Sequence, residues 1–168
     1  NNQHTTQTLS YYNQNAAQFS NSTQSLDFAS VQDKFLSFLQ PQAHILDFGC
    51  GPGRDTKYFL DHGFRTDAID GSEEFCRIAS EYTGISVKQM LFKELNVSEE
   101  YDGIWACSSI LHSTYDELKD ILKKLARALK KEGILYASFK YGDFEGMRNG
   151  RYFIDMTEAV SYTHLRAH

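Results

Sequence analysis

The chain has 168 residues, 41% hydrophobic and 14% aromatic, with a formal net charge of −5, which suits one buried core and is too short for two ordinary domains. The absence of a basic run argues against a nucleic-acid or anionic-membrane surface, so the acidic balance fits a small-molecule partner. Three cysteines, Cys50, Cys76 and Cys107, form no CxxC; with no long apolar run and no signal-peptide pattern, neither a disulfide framework nor a zinc cluster is expected, and a cytoplasmic location is.

Residues 1–25 are mostly Asn, Gln, Ser and Thr, interrupted by Tyr11, Tyr12, Ala16, Ala17 and Phe19. Two readings stay open: an unstructured polar leader, or a short helix over 11–19 that closes on a ligand as a lid. Phe35, Leu36, Phe38 and Leu39 mark a helix end over 33–39, which Gln40-Pro41 terminates. From there strand and helix alternate. Strands are expected at 44–48, 65–70, 86–92, 103–108 and 134–140. The helix at 55–62 is stopped by Gly63. A second, capped by Ser72 with Glu73 and Glu74 in its first turn, is ended by Gly84. A third, at 115–129, carries the stripe Leu118, Ile121, Leu122, Leu125 and Leu129, and Lys130-Lys131-Glu132-Gly133 turns the chain into the last strand. The class is α/β, a doubly wound parallel sheet of five strands built from right-handed βαβ units.

The most informative stretch is Ile45-Leu46-Asp47-Phe48-Gly49-Cys50-Gly51-Pro52-Gly53, an apolar strand that ends in glycines spaced two apart. Glycines just past the carboxyl end of a buried parallel strand let a ligand press on the backbone. A dinucleotide fingerprint aligned on Gly49 and Gly51 would put Arg54 at its third small position. Asp55 would then stand at the helix start, where its charge would repel a pyrophosphate. A ligand without phosphates and with a cationic amino acid end fits better.

Asp47 through Gly53 resembles the first motif of the class I S-adenosylmethionine-dependent methyltransferases. Asp70, seventeen residues after Gly53 and followed by Gly71-Ser72, resembles that family's acidic ribose-binding position. A carboxylate at the tip of the neighbouring strand also suits a ribose diol on geometric grounds. Tyr101 through His112 resembles the fourth-strand motif and Leu129 through Leu135 the turn into strand five. The wording is closest to small bacterial methyltransferases grouped with tellurite-resistance proteins.

The resemblance implies a Rossmann-like fold over 26–158 and S-adenosyl-L-methionine as methyl donor. Its contacts are expected at Asp47, Gly49, Cys50, Gly51, Gly53 and Arg54, at Asp70, Gly71 and Ser72, at Met90, Leu91 and Phe92, and at Ala106 and Cys107, with Tyr11 reaching in from the lid. Strand three lacks the usual acidic residue for the adenine amine, so Met90 and Phe92 either sandwich adenine or belong to the core. Arg54 either meets the methionine carboxylate or pairs with Asp55 at the surface. Cys50 and Cys107 read as packing.

Direct displacement on a sulfonium needs alignment more than catalytic groups, and no metal. His112 is the candidate base, its alternative being a histidine bonded to loop backbone. The (Asp/Asn)-Pro-Pro-(Tyr/Phe) sequence of amino-methylating DNA and glutamine enzymes is absent, as is the Pro-Cys of cytosine-C5 enzymes, which leaves small-molecule acceptors. A non-catalytic S-adenosylmethionine-binding module and an NAD-dependent oxidoreductase are the rivals, the latter disfavoured by Arg54 and Asp55. Residues 159–168 do not resemble the family and read as an unrelated tail. The family's terminal antiparallel strands are expected to be missing, so that strand 134–140 becomes an open apolar edge, prone to pair with a second copy.

Overall fold

The computed structural model describes residues 28–113, 115–143 and 146–155, with the backbone alone described for 108–113, 115, 118, 139–143 and 146–155. In chain order the elements are α1 (Ala29–Ser37), β1 (His44–Phe48), α2 (Arg54–Asp61), β2 (Arg65–Asp70), α3 (Glu73–Thr83), β3 (Lys88–Gln89), a 3₁₀ turn (Phe92–Glu94), β4 (Tyr101–Ser113), α4 (Tyr115–Ala128), β5 (Leu129–Asp143) and β6 (Gly146–Asp155). The sheet runs β3-β2-β1-β4-β5-β6. Its first five strands are parallel, as the alternation of strands and amphipathic helices requires. The order reverses between β1 and β4, the place where an open α/β sheet leaves a crevice at its carboxyl edge.

Side chains leave the central strands alternately to two helical layers, and the registers align residues facing the same layer. Ile45, Trp105 and Tyr136 pack with Phe35 of α1 and Phe59 of α2. Leu46, Phe48, Ile104, Ala106, Leu135 and Ala137 pack on the other face against Ile121, Leu122 and Leu125 of α4. Trp105 stacks on Tyr136 at 4.0 Å and meets Phe35 and Phe59 edge-on at 5.2 and 5.3 Å, arrangements that suit ring quadrupoles. Gly103 permits the close approach of α1, because a Cβ there would lie 2.9 Å from Phe35 and 3.0 Å from Leu39.

Ser72 caps α3 by accepting from Phe75 N, and Gly84 ends it at φ 84°, as the sequence leads one to expect. Other expectations need correction. The first helix, Ala29–Ser37, does end within 33–39, but its C-cap is Phe38, short of Gln40-Pro41. The third strand is two residues long rather than 86–92, and Phe92 sits in the 3₁₀ turn. The strand five edge is not open: β6 pairs with β5 antiparallel from Ile134↔Asp155 to Asp143↔Gly146. This pairing satisfies the ladder groups that would have invited a second copy, and β6 becomes the terminal strand among the described residues. The expected turn at 130–133 survives as an irregularity, since the register passes from Tyr101↔Leu129 directly to Gly103↔Ile134. No described helix is long and apolar enough to cross a membrane.

Candidate functional site

The loop after β1 begins with a buried acid. Asp47 is 1% exposed and accepts from Thr56 Oγ1 of α2 at 2.6 Å. Burial, then the negative charge of Asp55, hold its carboxyl well above the usual carboxylate range against the Thr56 bond. Gly49, Gly51 and Gly53 all take positive φ, at 81°, 56° and 97°, a left-handed sequence that residues with a Cβ adopt only under strain. The amides of Gly49 and Cys50 both donate to Ile69 O, at 3.0 and 2.9 Å, which ties the loop to β2.

The glycines then divide their work. A Cβ at Gly53 would lie 3.0 Å from Thr83 Cγ2 and 3.1 Å from Ala79 Cβ, so this position lets α2 start against α3. A Cβ at Gly51 would have nothing within 4 Å among the described residues, so here the backbone borders open space. Cys50 is a packing residue in structural terms. Its thiol donates to Gly51 O at 3.4 Å, and burial, followed by the charges of Asp47 and Asp70, pushes it well above the thiol range.

Asp70 stands at the tip of β2 beside this loop. Its side chain is fully buried, with Oδ2 accepting from Gly51 N and Oδ1 from Ser72 N, both at 2.8 Å. The carboxylate thereby clips the glycine loop to the start of α3, a role sequence reasoning missed. Each carboxylate oxygen keeps a second lone pair beyond these bonds. Burial pushes Asp70 up to about 6, opposed by the two amides. Gly71 and Ser72 are buried with it. The Asp70 carbonyl accepts from Met90 N at 2.9 Å, which brings the end of β3 to the same corner. Met90, Leu91 and Phe92 are half-buried there; Met90 and Phe92 rest on the core, Phe92 with its ring 4.3 Å from Phe48.

The start of α2 departs most from expectation. Asp55 does not project toward the loop mouth; it is 6% exposed and turned inward. Gln32 Nε2 donates to it at 2.6 Å, Arg54 Nε and Nη2 at 3.0 Å each, and Trp105 Nε1 at 2.9 Å. Its charge is met by Arg54, so repulsion of a pyrophosphate does not follow from this geometry. Arg54 forms the expected pair with Asp55, but not as a surface pair: its side chain is 15% exposed, with the guanidinium 4.7 Å above the Phe28 ring. Burial opposes its charge, yet the hydrogen bond and negative charge of Asp55 outweigh that and raise its pKa. The sequence signal available was two polar residues, Gln32 and Asp55, on otherwise core-facing helical positions.

On β4, Ala106 is fully buried and its methyl belongs to the α4-side core, so a ligand contact there would have to be through backbone. Cys107 is half-buried against the aromatic cluster on the opposite face. His112 sits in β4 opposite Lys140, past a register shift between Ser108 and His112, and its side chain lies outside what the structure describes. Tyr11, Tyr12 and the supposed lid fall outside the described residues, as do 159–168.

Comparison with known proteins places this site in context. Residues 45–133 match the family model described as a methyltransferase domain. Malonyl-[acyl-carrier protein] O-methyltransferase of Enterobacter lignolyticus is 28% identical over 99 residues, covering 55% of this chain and 37% of the relative. N-terminal Xaa-Pro-Lys N-methyltransferase 1 of Danio rerio is 36% identical over 98 residues, covering 54% and 44%. The chain thus spans less than half the length of these curated relatives. Among solved structures, Burkholderia thailandensis 1,6-didemethyltoxoflavin-N1-methyltransferase, with S-adenosylhomocysteine bound, superposes with a TM-score of 0.67 at 21% identity, over 93% of this chain and 75% of that one; at that identity it bears on the fold.

Proposed function

The chain belongs to the methyltransferase domain family, and from that premise we propose that it binds S-adenosyl-L-methionine along the 49–53 loop and transfers the methyl group to a small-molecule acceptor. The observation that carries the reading is the loop itself. Three left-handed glycines follow β1, with open space over Gly51 and a carboxylate, Asp70, beside it at the tip of β2. A Cβ at Gly51 would occupy that space, so the cradle suits a ligand that packs on bare backbone.

In this reading the donor supplies an electrophilic methyl on a sulfonium, and the chain supplies position. Asp70 accepts the ribose hydroxyls with the lone pairs its amide bonds leave over. Met90, Leu91 and Phe92 border adenine, while Arg54 meets the α-carboxylate at the other end of the ligand. Transfer in line with the departing sulfur gains chiefly from alignment, worth up to ~7–11 kcal/mol in well-oriented systems. His112 is retained as the group that accepts a proton from the acceptor.

The matched relatives carry an O-methyltransferase and an N-methyltransferase name, so the family leaves the acceptor atom open. The absence of an Asp-Pro-Pro-Tyr-type motif after β4 favours a small acceptor. Turnover with thiol, hydroxyl, amine and tellurite compounds tests this, the last for the tellurite-type resemblance. Release of S-adenosylhomocysteine dependent on one of them supports the reading. Tight binding of S-adenosylhomocysteine with no turnover on any acceptor would favour a binding module instead.

A further inference from the structure

Four hydrogen bonds from three elements converge on the buried Asp55 carboxylate: from Gln32 in α1, from two nitrogens of Arg54 at the start of α2, and from Trp105 in β4. Neighbours at i and i+1 on a helix do not face one another, so a two-point bond between Arg54 and Asp55 means that the arginine is folded back over its own helix start instead of extending into water. Phe28 lies 4.7 Å beneath the guanidinium. With one edge held by a carboxylate and one face by a ring, the planar group has a set orientation. A guanidinium carries five N–H donors. Asp55 takes one from Nε and one from Nη2, and among the described residues Nη1 donates to nothing. Those remaining donors belong to the residue that directly follows Gly53, the last glycine of the loop.

We propose that Asp55 is a positioning residue, which aims the Arg54 guanidinium at the α-carboxylate of the bound donor and, through Gln32, makes that aim depend on the seating of α1. The inference rests on the reading of the loop as the S-adenosylmethionine site. A planar fork is the geometry that recognises a carboxylate through paired bonds, provided it is held in place. Positioning and simple charge make opposite demands. If only charge mattered, Asp55 would weaken the ligand by cancelling Arg54, and Asp55→Asn would tighten binding. If aim matters, the same substitution weakens it, because an amide cannot accept both arginine bonds and those of Gln32 and Trp105.

Calorimetric titration with S-adenosylhomocysteine and with 5′-methylthioadenosine, which shares adenine, ribose and sulfur but lacks the amino acid end, separates these accounts. For Asp55→Asn the expected result is a loss of ~10-fold or more for S-adenosylhomocysteine, in line with bonds to charged groups, with 5′-methylthioadenosine changed far less. Gln32→Met, which removes a single donor, is expected to show the same ligand selectivity at smaller size, and it carries the test if Asp55→Asn does not fold. Unchanged or tighter S-adenosylhomocysteine binding overturns the inference. Equal losses on both ligands do so too, since they mark general damage to the loop. A wild-type chain that binds neither ligand would instead overturn the reading of the loop itself, and this inference with it.

Discussion

Alanine at Gly53 and alanine at Gly51 are expected to fail in different ways, although the two glycines sit in one loop and both have positive φ. At Gly53, φ is 97° and the new Cβ would lie 3.0 Å from Thr83 Cγ2, 3.1 Å from Ala79 Cβ and 3.3 Å from Ala79 Cα. Left-handed backbone with a Cβ costs roughly 1–2 kcal/mol, and forcing a methyl into a filled helix contact adds roughly 1–3 kcal/mol. The total, about 2–5 kcal/mol, is a large part of the ~5–15 kcal/mol that holds an ordinary domain folded. At Gly51, φ is 56° and no described residue comes within 4 Å of the new Cβ, so only the backbone term of roughly 1–2 kcal/mol applies. Its methyl would instead occupy the space assigned to the ligand. Urea unfolding at constant m-value measures the first effect, and titration with S-adenosylhomocysteine measures the second. Gly53→Ala should shift the unfolding midpoint more, while Gly51→Ala should stay the more stable yet lose at least ~10-fold in affinity, the scale of about 1.4 kcal/mol. A Gly51→Ala protein that binds like wild type, or a Gly53→Ala protein as stable as Gly51→Ala, would refute this division of labour.

Asp70 gives a pH signature with two opposite slopes. Its folded pKa, about 6, lies above the ordinary 3.8, so the folded state holds this proton more tightly than the unfolded chain. Stability should therefore rise as pH falls through 6 toward 4, by up to ~3 kcal/mol at 1.36 kcal/mol per unit. Affinity for S-adenosylhomocysteine should fall over the same range, because the ionised form is the better hydroxyl acceptor. Unfolding and titration series from pH 8 to 4 read both slopes, and Asp70→Asn should reduce each, the raised Asp47 leaving part of the stability slope in place; a wild type with no slope in either contradicts the assignment. The buried thiols should be chemically quiet. Burial chiefly, with the charge of Asp70, pushes Cys76 up to about 12, which lowers its thiolate fraction by ~1,000-fold, and Cys50 is raised well above the thiol range as well. Iodoacetamide at pH 8 should leave both unmodified in the native protein and modify both in urea, as read by peptide mass spectrometry. Rapid native labelling of Cys50 would show the loop open.

The legible parts of this fold were those punctuated by glycine and by capping residues. Gly49 to Gly53, Gly63, Ser72 and Gly84 bracket β1, α2, β2 and α3, and there the expected bounds agree with the observed ones to within a residue. The third strand was overextended at 86–92, whereas the ladder to β2 ends with Met90 N bonded to Asp70 O and the chain then turns into the 3₁₀ segment at Phe92. Of the first helix only the end was legible, because Gln32, a polar residue facing inward, breaks the apolar stripe that would have marked its start. For the same reason the Asp55 hub was invisible: its donors come from positions 32, 54 and 105, and only folding brings them together. Asp70 was singled out in the sequence as an acceptor for a ribose, and its part in holding the loop was not. Its bonds to Gly51 and Ser72 depend on the loop path, which no spacing rule specifies. The antiparallel strand was there to be read in Arg151-Tyr152-Phe153-Ile154, a β-prone run after Gly150.

The central claim is that the loop between β1 and α2 is a site for an adenosyl amino acid and not for a dinucleotide. Parallel calorimetric titrations of the wild-type chain with S-adenosylhomocysteine and with NAD test it most directly. The account predicts saturable one-to-one binding of S-adenosylhomocysteine, lost in Asp70→Ala, and no heat from NAD beyond dilution. Saturable binding of NAD with none of S-adenosylhomocysteine would contradict it.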